Sequence, residues 1–169
     1  MMNYTWEIVQ ESKGTNIQVA VVQFANSVET QLTFTEFQSD SIEVLETKIK
    51  DVVQMGGGTN TGLALRHVLS QTFQEQQEAR PTALRTLLLI TDGTATDVEE
   101  LQKINKSRAL EGITRFVIGV GDVFHKGRAI YTAELIASRP LSLHVEVASD
   151  FTALGRVLKA LKGRMFALE

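Results

Sequence analysis

Leu87-Leu88-Leu89-Ile90 is a wholly apolar run that ends abruptly in Thr91-Asp92-Gly93. A strand with apolar side chains on both faces needs cover on both faces, which is the environment of a parallel sheet flanked by helices. The residues that follow keep to that plan. Thr96 or Asp97 can cap a helix carrying Leu101, Ile104 and Leu110, and Gly112 ends it. Ile113 to Val120 reads as the next strand, closing in Gly119-Val120-Gly121. A helix near 129–137 leads past Pro140 to a strand at 143–147. Asp150 then caps a last helix with Leu154, Val157, Leu158, Leu161 and Met165 on one face. Strand and helix in alternation predict an α/β chain built on a doubly wound, mostly parallel sheet.

The first half reads differently. Residues 17–24, Ile-Gln-Val-Ala-Val-Val-Gln-Phe, form a β-branched run, and Ala25-Asn26-Ser27 is a turn signal. Val28, Thr30, Leu32 and Phe34 then alternate, so 17–24 and 28–34 are expected to pair as a hairpin, giving the sheet one antiparallel edge strand. Asp40 with Glu43 resembles a capping box ahead of a helix bearing Ile42, Leu45, Ile49, Val52 and Val53. Met55-Gly56-Gly57-Gly58-Thr59-Asn60-Thr61-Gly62 interrupts it, and Leu65, Leu69 and Phe73 mark another helix, broken at Arg80-Pro81. No repeat or linker divides the chain, so residues 1–169 are read as a single domain.

Composition removes several classes of function. The 169 residues are 43% hydrophobic, enough for a real core and against disorder. The net charge is −3 with scattered basic residues, so nucleic acid is not the expected partner. The absence of cysteine excludes disulfides and thiolate metal sites. No stretch approaches the roughly 20 apolar residues of a membrane span. Met1 to Glu7 has neither the basic nor the apolar region of a signal peptide. Two glycosylation sequons, Asn3-Tyr4-Thr5 and Asn105-Lys106-Ser107, matter only if the chain is secreted.

In an open parallel sheet, ligands bind beyond the carboxyl ends of the strands. Asp92 lies there, and a carboxylate at that place suits a hard divalent cation. The Gly56–Gly62 loop adds backbone amides and the hydroxyls of Thr59 and Thr61. Hydroxyls are weak neutral ligands, so a cation held by them stays electrophilic and favours an incoming carboxylate. Plainer readings exist. Thr-Asp-Gly after a strand can be a turn with a helix cap. The glycine loop can be a simple turn, but it lacks the lysine of a P-loop and follows a helical segment, unlike a dinucleotide fingerprint. His67, His125 and His144 lack ligand spacing and read as structural or surface residues, and Asp122 reads as turn chemistry. Without a cysteine, a placed histidine or a phosphate-binding lysine, the chain is not expected to be an enzyme such as a nucleotide-dependent phosphotransferase.

The order and spacing of these motifs resemble the von Willebrand factor A domain, and more narrowly the inserted (I) domain of integrin α subunits. Val19-Ala20-Val21-Val22-Gln23-Phe24 is similar to the family's second strand, and Gly58-Thr59-Asn60-Thr61-Gly62 to the loop giving the metal-site threonine. Leu89-Ile90-Thr91-Asp92-Gly93 is similar to the strand giving the metal-site aspartate. Phe116 to Gly121, Leu135 to Pro140 and Met165 to Glu169 continue the resemblance.

The resemblance implies that Thr59 and Asp92 are metal ligands. Gly58, Asn60, Thr61 and Gly93 would line the ligand-binding loops, and Glu169 would act as an internal ligand for a β subunit. It implies Mg²⁺ or Mn²⁺ as cofactor. As partners it implies proteins with an exposed Glu or Asp, among them cell-adhesion molecules, complement fragments and matrix proteins. The implied place is the cell surface, on the extracellular part of a single-pass membrane protein. The short segment from Gly121 to Ala137 points to leukocyte-type integrins, and a matrix-protein A domain is the alternative. One departure stands out: the family's first strand ends in Asp-x-Ser-x-Ser, and that motif is absent here. The chain therefore reads as N-terminally truncated, with Met1 to Gln10 as the remnant of the first helix and the central first strand missing. Two expectations follow. Metal binding should be weak or absent, and the chain should fold poorly or borrow a strand from another chain.

Overall fold

The computed structural model describes residues 2–125 and 127–166. The chain divides into two compact units, Met1–Ala83 and Leu84–Glu169.

In the first unit, helix α1 (Met2–Ser12) buries Trp6 and Val9 on one face. Strands β1 (Val21–Phe24) and β2 (Val28–Leu32) pair antiparallel, with Phe24 opposite Val28 and Val21 opposite Leu32. Both strands are shorter than the sequence suggests, and one cause explains both. Thr33 caps helix α2 (Phe34–Ser39): its hydroxyl accepts from the Glu36 amide at 3.1 Å, and the Glu36 carboxylate accepts from the Thr33 amide at 2.8 Å. This reciprocal cap turns the chain at residue 33. Phe34 therefore leaves the strand, and Ile17 to Ala20 lie outside β1, whose ladder with β2 ends at Val21.

Helix α3 (Ile42–Lys50) is capped by Ser41, not by Asp40. Asp40 instead terminates α2, and its carboxylate accepts from Lys48 at 2.8 Å. The helix stops before Val52 and Val53, and Val53 is exposed rather than part of the apolar face. Trp6, Val9, Leu32, Phe37, Leu45 and Ile49 form the core of this unit. Beyond the glycine loop come α4 (Thr61–His67), a π-helical turn at Val68–Thr72 and α5 (Phe73–Ala79). They bury Leu65, Val68 and Phe73.

The second unit contains the parallel sheet. Strands β3 (Arg85–Thr91), β4 (Ile113–Val120) and β5 (Val145–Ala148) lie in the order β3-β4-β5. The first pair runs unbroken from Arg85 opposite Ile113 to Thr91 opposite Gly119. The connections hold helices α6 (Val98–Lys106), α7 (Arg128–Ile136) and the short α8 (Leu141–His144). Helix α9 (Leu154–Phe166) follows β5 and buries Leu154, Leu158 and Leu161. Asp150 does not cap that helix directly: it accepts from the Ala153 amide at 2.8 Å and closes the turn at 151–153, because the helix starts only at Leu154. The last strand starts at Val145 rather than at 143, because residues 141–144 close a helical turn in which His144 Nδ1 meets the Pro140 carbonyl at 2.9 Å.

Arg115 staples the amino end of this sheet. Its guanidinium donates to the carbonyls of Ile136 (2.7 Å), Ile113 (3.1 Å) and Leu110. Burial lowers its pKa below the usual value, and three carbonyl acceptors compensate the desolvated charge. The α/β architecture is thus the expected one, with its antiparallel pairing in a two-stranded sheet and its parallel pairing in a three-stranded one.

Candidate metal-binding residues

Thr59 belongs to the first unit and is half-buried. It lies at the end of the glycine loop, one residue before Asn60, the N-cap of α4. Asn60 has φ −80° and ψ 71°, and the Thr61 amide donates back to the Thr59 carbonyl at 2.9 Å. That is an inverse γ-turn, which aims the chain into the helix. Thr61 is fully buried, and its Oγ1 has no hydrogen-bond partner among the described residues. A buried hydroxyl left without a partner costs about 1–3 kcal/mol and marks a place where water or a ligand oxygen would be stabilising.

The loop is tied to the β1–β2 turn. The Gly58 amide donates to Asn26 Oδ1 at 2.7 Å, the Asn60 amide to the Ala25 carbonyl at 2.9 Å, and Asn60 Nδ2 to the Asn26 carbonyl at 3.1 Å. Gly57 has φ +117°, and a Cβ there would lie 2.5 Å from Asn26 Nδ2. In the sequence, Ala25-Asn26-Ser27 signals a turn and nothing more. No local pattern signals a contact across 32 residues.

Asp92 belongs to the second unit. It is the first residue past β3, and its carboxylate is exposed. Among the described residues, no ion pair engages it. Thr91 is buried just before it, and its hydroxyl spans Gly93 with long contacts of 3.4 Å to both amide and carbonyl. Asp122 and Asp150 follow β4 and β5 closely and are also exposed, so the carboxyl edge of this sheet is acidic. The described residues hold no cluster of three His, Asp or Glu side chains able to bind a metal.

An open cleft of about 800 Å³ begins two residues beyond Asp92, lined by Thr94, Thr96, Asp97 and Glu99 on one side and by Arg128 and Tyr131 on the other. Asp97 is the N-cap of α6, without a side-chain cap bond. His67 shares a 2.8 Å hydrogen bond with Thr30, and His144 packs its ring on Phe116 at 4.9 Å, so both serve local structure. Glu169 lies outside the described residues.

The family profile of the von Willebrand factor type A domain matches residues 3–160. The chain is 31% identical to human integrin alpha-X over 170 residues, covering 100% of this chain and 14% of that protein. It is 36% identical to human matrilin-4 over 151 residues, covering 86% of this chain and 22% of that protein. It therefore spans only a small part of these relatives. Among solved structures, it matches proximal thread matrix protein 1 from the mussel byssus, whose MIDAS motif is occupied by zinc. That match has a TM-score of 0.74 at 26% identity and covers 95% of this chain and 41% of the other.

Proposed function

Since the chain belongs to the von Willebrand factor type A domain family, we propose that it is a metal-dependent protein-binding module, with Thr59 and Asp92 each proposed as a ligand of a divalent cation. The observation that carries this reading is Asp92: an exposed, unpaired carboxylate placed by a half-buried parallel strand, just after the buried Thr91, at the sheet's carboxyl edge, where open α/β sheets receive ligands.

The residues fit a hard cation. The proposed donors are both oxygens, the Asp92 carboxylate and the Thr59 hydroxyl, and the buried Thr61 hydroxyl two residues after Thr59 has no partner among the described residues. Mg²⁺ or Mn²⁺ suits such a set and keeps several waters. A bound cation would supply an electrophilic position for a Glu or Asp of a protein ligand. Two protein oxygens make weak affinity the expectation. Asn60, Gly58 and Gly93 shape the surrounding loops, and the acidic carboxyl edge draws cations to it. The engagement of His67 and His144 in local contacts supports binding over catalysis.

The integrin relatives support an adhesion domain of an integrin α subunit, of leukocyte type, on the cell surface. Its ligands would be adhesion molecules or complement fragments, and it would work beside a β subunit that engages Glu169. The matrilin identity favours a second reading, a matrix-protein module that binds protein partners through the same residues.

Calorimetric titration of the chain with Mg²⁺ and Mn²⁺ tests the site. Weak binding lost in both Asp92→Ala and Thr59→Ala, with circular dichroism unchanged, is expected. Binding that survives in both variants would overturn the assignment.

A further inference from the structure

Three hydrogen bonds bracket Thr59, and all of them end on the same turn. On one side the Gly58 amide reaches Asn26 Oδ1 at 2.7 Å. On the other, the Asn60 amide reaches the Ala25 carbonyl at 2.9 Å, and the Asn60 side chain reaches the Asn26 carbonyl at 3.1 Å. The inverse γ-turn at Asn60 fixes the next peptide. Gly57 passes so close to the Asn26 amide that a Cβ there would push that amide aside. With Gly58 and Asn60 both held, the Thr59 backbone has little freedom left, and the direction in which its side chain leaves the chain is set.

We infer that Asn26 is the positioning residue for Thr59: its side-chain carbonyl sets the direction of the Thr59 hydroxyl and thereby the affinity for the cation. This rests on the proposed metal role of Thr59. Asn26 itself touches no cation. It acts through the Gly58 amide, the way outer groups orient a ligand in established metal sites. Only the acceptor oxygen carries the Gly58 bond, so Asp can replace Asn26 and Ala cannot.

The test uses the whole chain and two readouts. The first is metal-free amide exchange by NMR at Gly58, with Val22 and Phe24 of β1 as controls. The second is titration with Mn²⁺. Asn26→Ala should speed exchange at Gly58 while the β1 amides stay protected, and should weaken Mn²⁺ binding about tenfold or more. Asn26→Asp should restore both. Unchanged Mn²⁺ affinity in Asn26→Ala, where Asp92→Ala abolishes binding, would overturn the inference and leave the metal site standing. Unchanged exchange at Gly58 would overturn it as well. Mn²⁺ binding that ignores both Asp92→Ala and Thr59→Ala would remove the metal reading and this inference with it.

Discussion

The Gly56–Gly62 loop and the Thr91–Asp97 turn each carry one proposed ligand, and they are held by opposite means. The loop takes its shape from outside itself, through hydrogen bonds to a turn more than thirty residues earlier. The turn takes its place from the strand before it, since Thr91 opposite Gly119 is the last rung of a seven-residue parallel ladder. Packing fixes Asp92, and a side-chain amide fixes Thr59. The two ligands should therefore fail in different ways. Damage to the ladder should cost stability first, whereas damage to the latch should cost ligand geometry first.

The sharpest way to strain the ladder is Gly119→Ala. A Cβ there would lie 2.3 Å from Cγ of the Phe124 ring, which is 1% exposed and has nowhere to go. Overpacking of this kind costs about 3 kcal/mol. Urea unfolding should show that loss, with faster amide exchange concentrated in residues 113–120. A loss below about 1 kcal/mol would mean that the ring yields easily, and that packing does not fix the strand end after all.

Gly57→Ala strains the latch instead. The positive φ costs about 1–2 kcal/mol for a residue with a Cβ, and the Asn26 amide must also move aside. The total should stay below that of Gly119→Ala, and it should be smaller still in an Asn26→Ala background. The two positions touch, so their effects should not add. Additive losses would show that Gly57 is needed for its backbone angle alone, and would uncouple it from the latch.

The sequence made the second unit far more legible than the first, for a physical reason. The strand at Leu87 to Ile90 and the buried Leu154, Leu158 and Leu161 of α9 are patterns written within a few consecutive residues, and the structure keeps both. In the first unit, neighbouring signals compete. The alternation of Val28, Thr30, Leu32 and Phe34 suggested one long strand, but the Thr33–Glu36 cap satisfies two amides at once and wins from residue 33 onward. The Asp40–Glu43 signal was one residue out of step, because Ser41 caps the helix and Asp40 serves Lys48. As for the site, Asp92 could be placed at a strand end by reading, since a strand end is local. The support of Thr59 could not, because the Asn26 contact spans 32 residues and leaves no periodic trace.

The smallest effect tests whether the latch is independent of the helices near it. Lys48 bridges Glu36 at 2.7 Å and Asp40 at 2.8 Å, tying α3 to α2, and it touches neither the loop nor the turn. Its hydrogen bond, followed by that of the Thr33 amide, holds the Glu36 carboxyl below its ordinary value of 4.5. The bonds to Asp40 and then Glu36 raise Lys48 above its ordinary 10.5. A lowered carboxyl stabilises the fold above its unfolded pKa and loses that contribution as pH falls through the folded value. A raised ammonium stabilises below its unfolded pKa and loses it as pH climbs through the folded value. Lys48→Met should therefore lower stability in the window between 4.5 and 10.5 and converge with the parent chain on either side. With Glu36 41% exposed, solvent screens the pair, and the difference at neutral pH should be only about 0.5 kcal/mol, smaller again in high salt. Thermal unfolding at matched pH values measures it. Across that series, Gly58 should exchange alike in the variant and the parent at each pH, because Asn26 has no titrating group. Faster exchange in Lys48→Met would mean that the helix pair, and not the Asn26 amide, holds the loop.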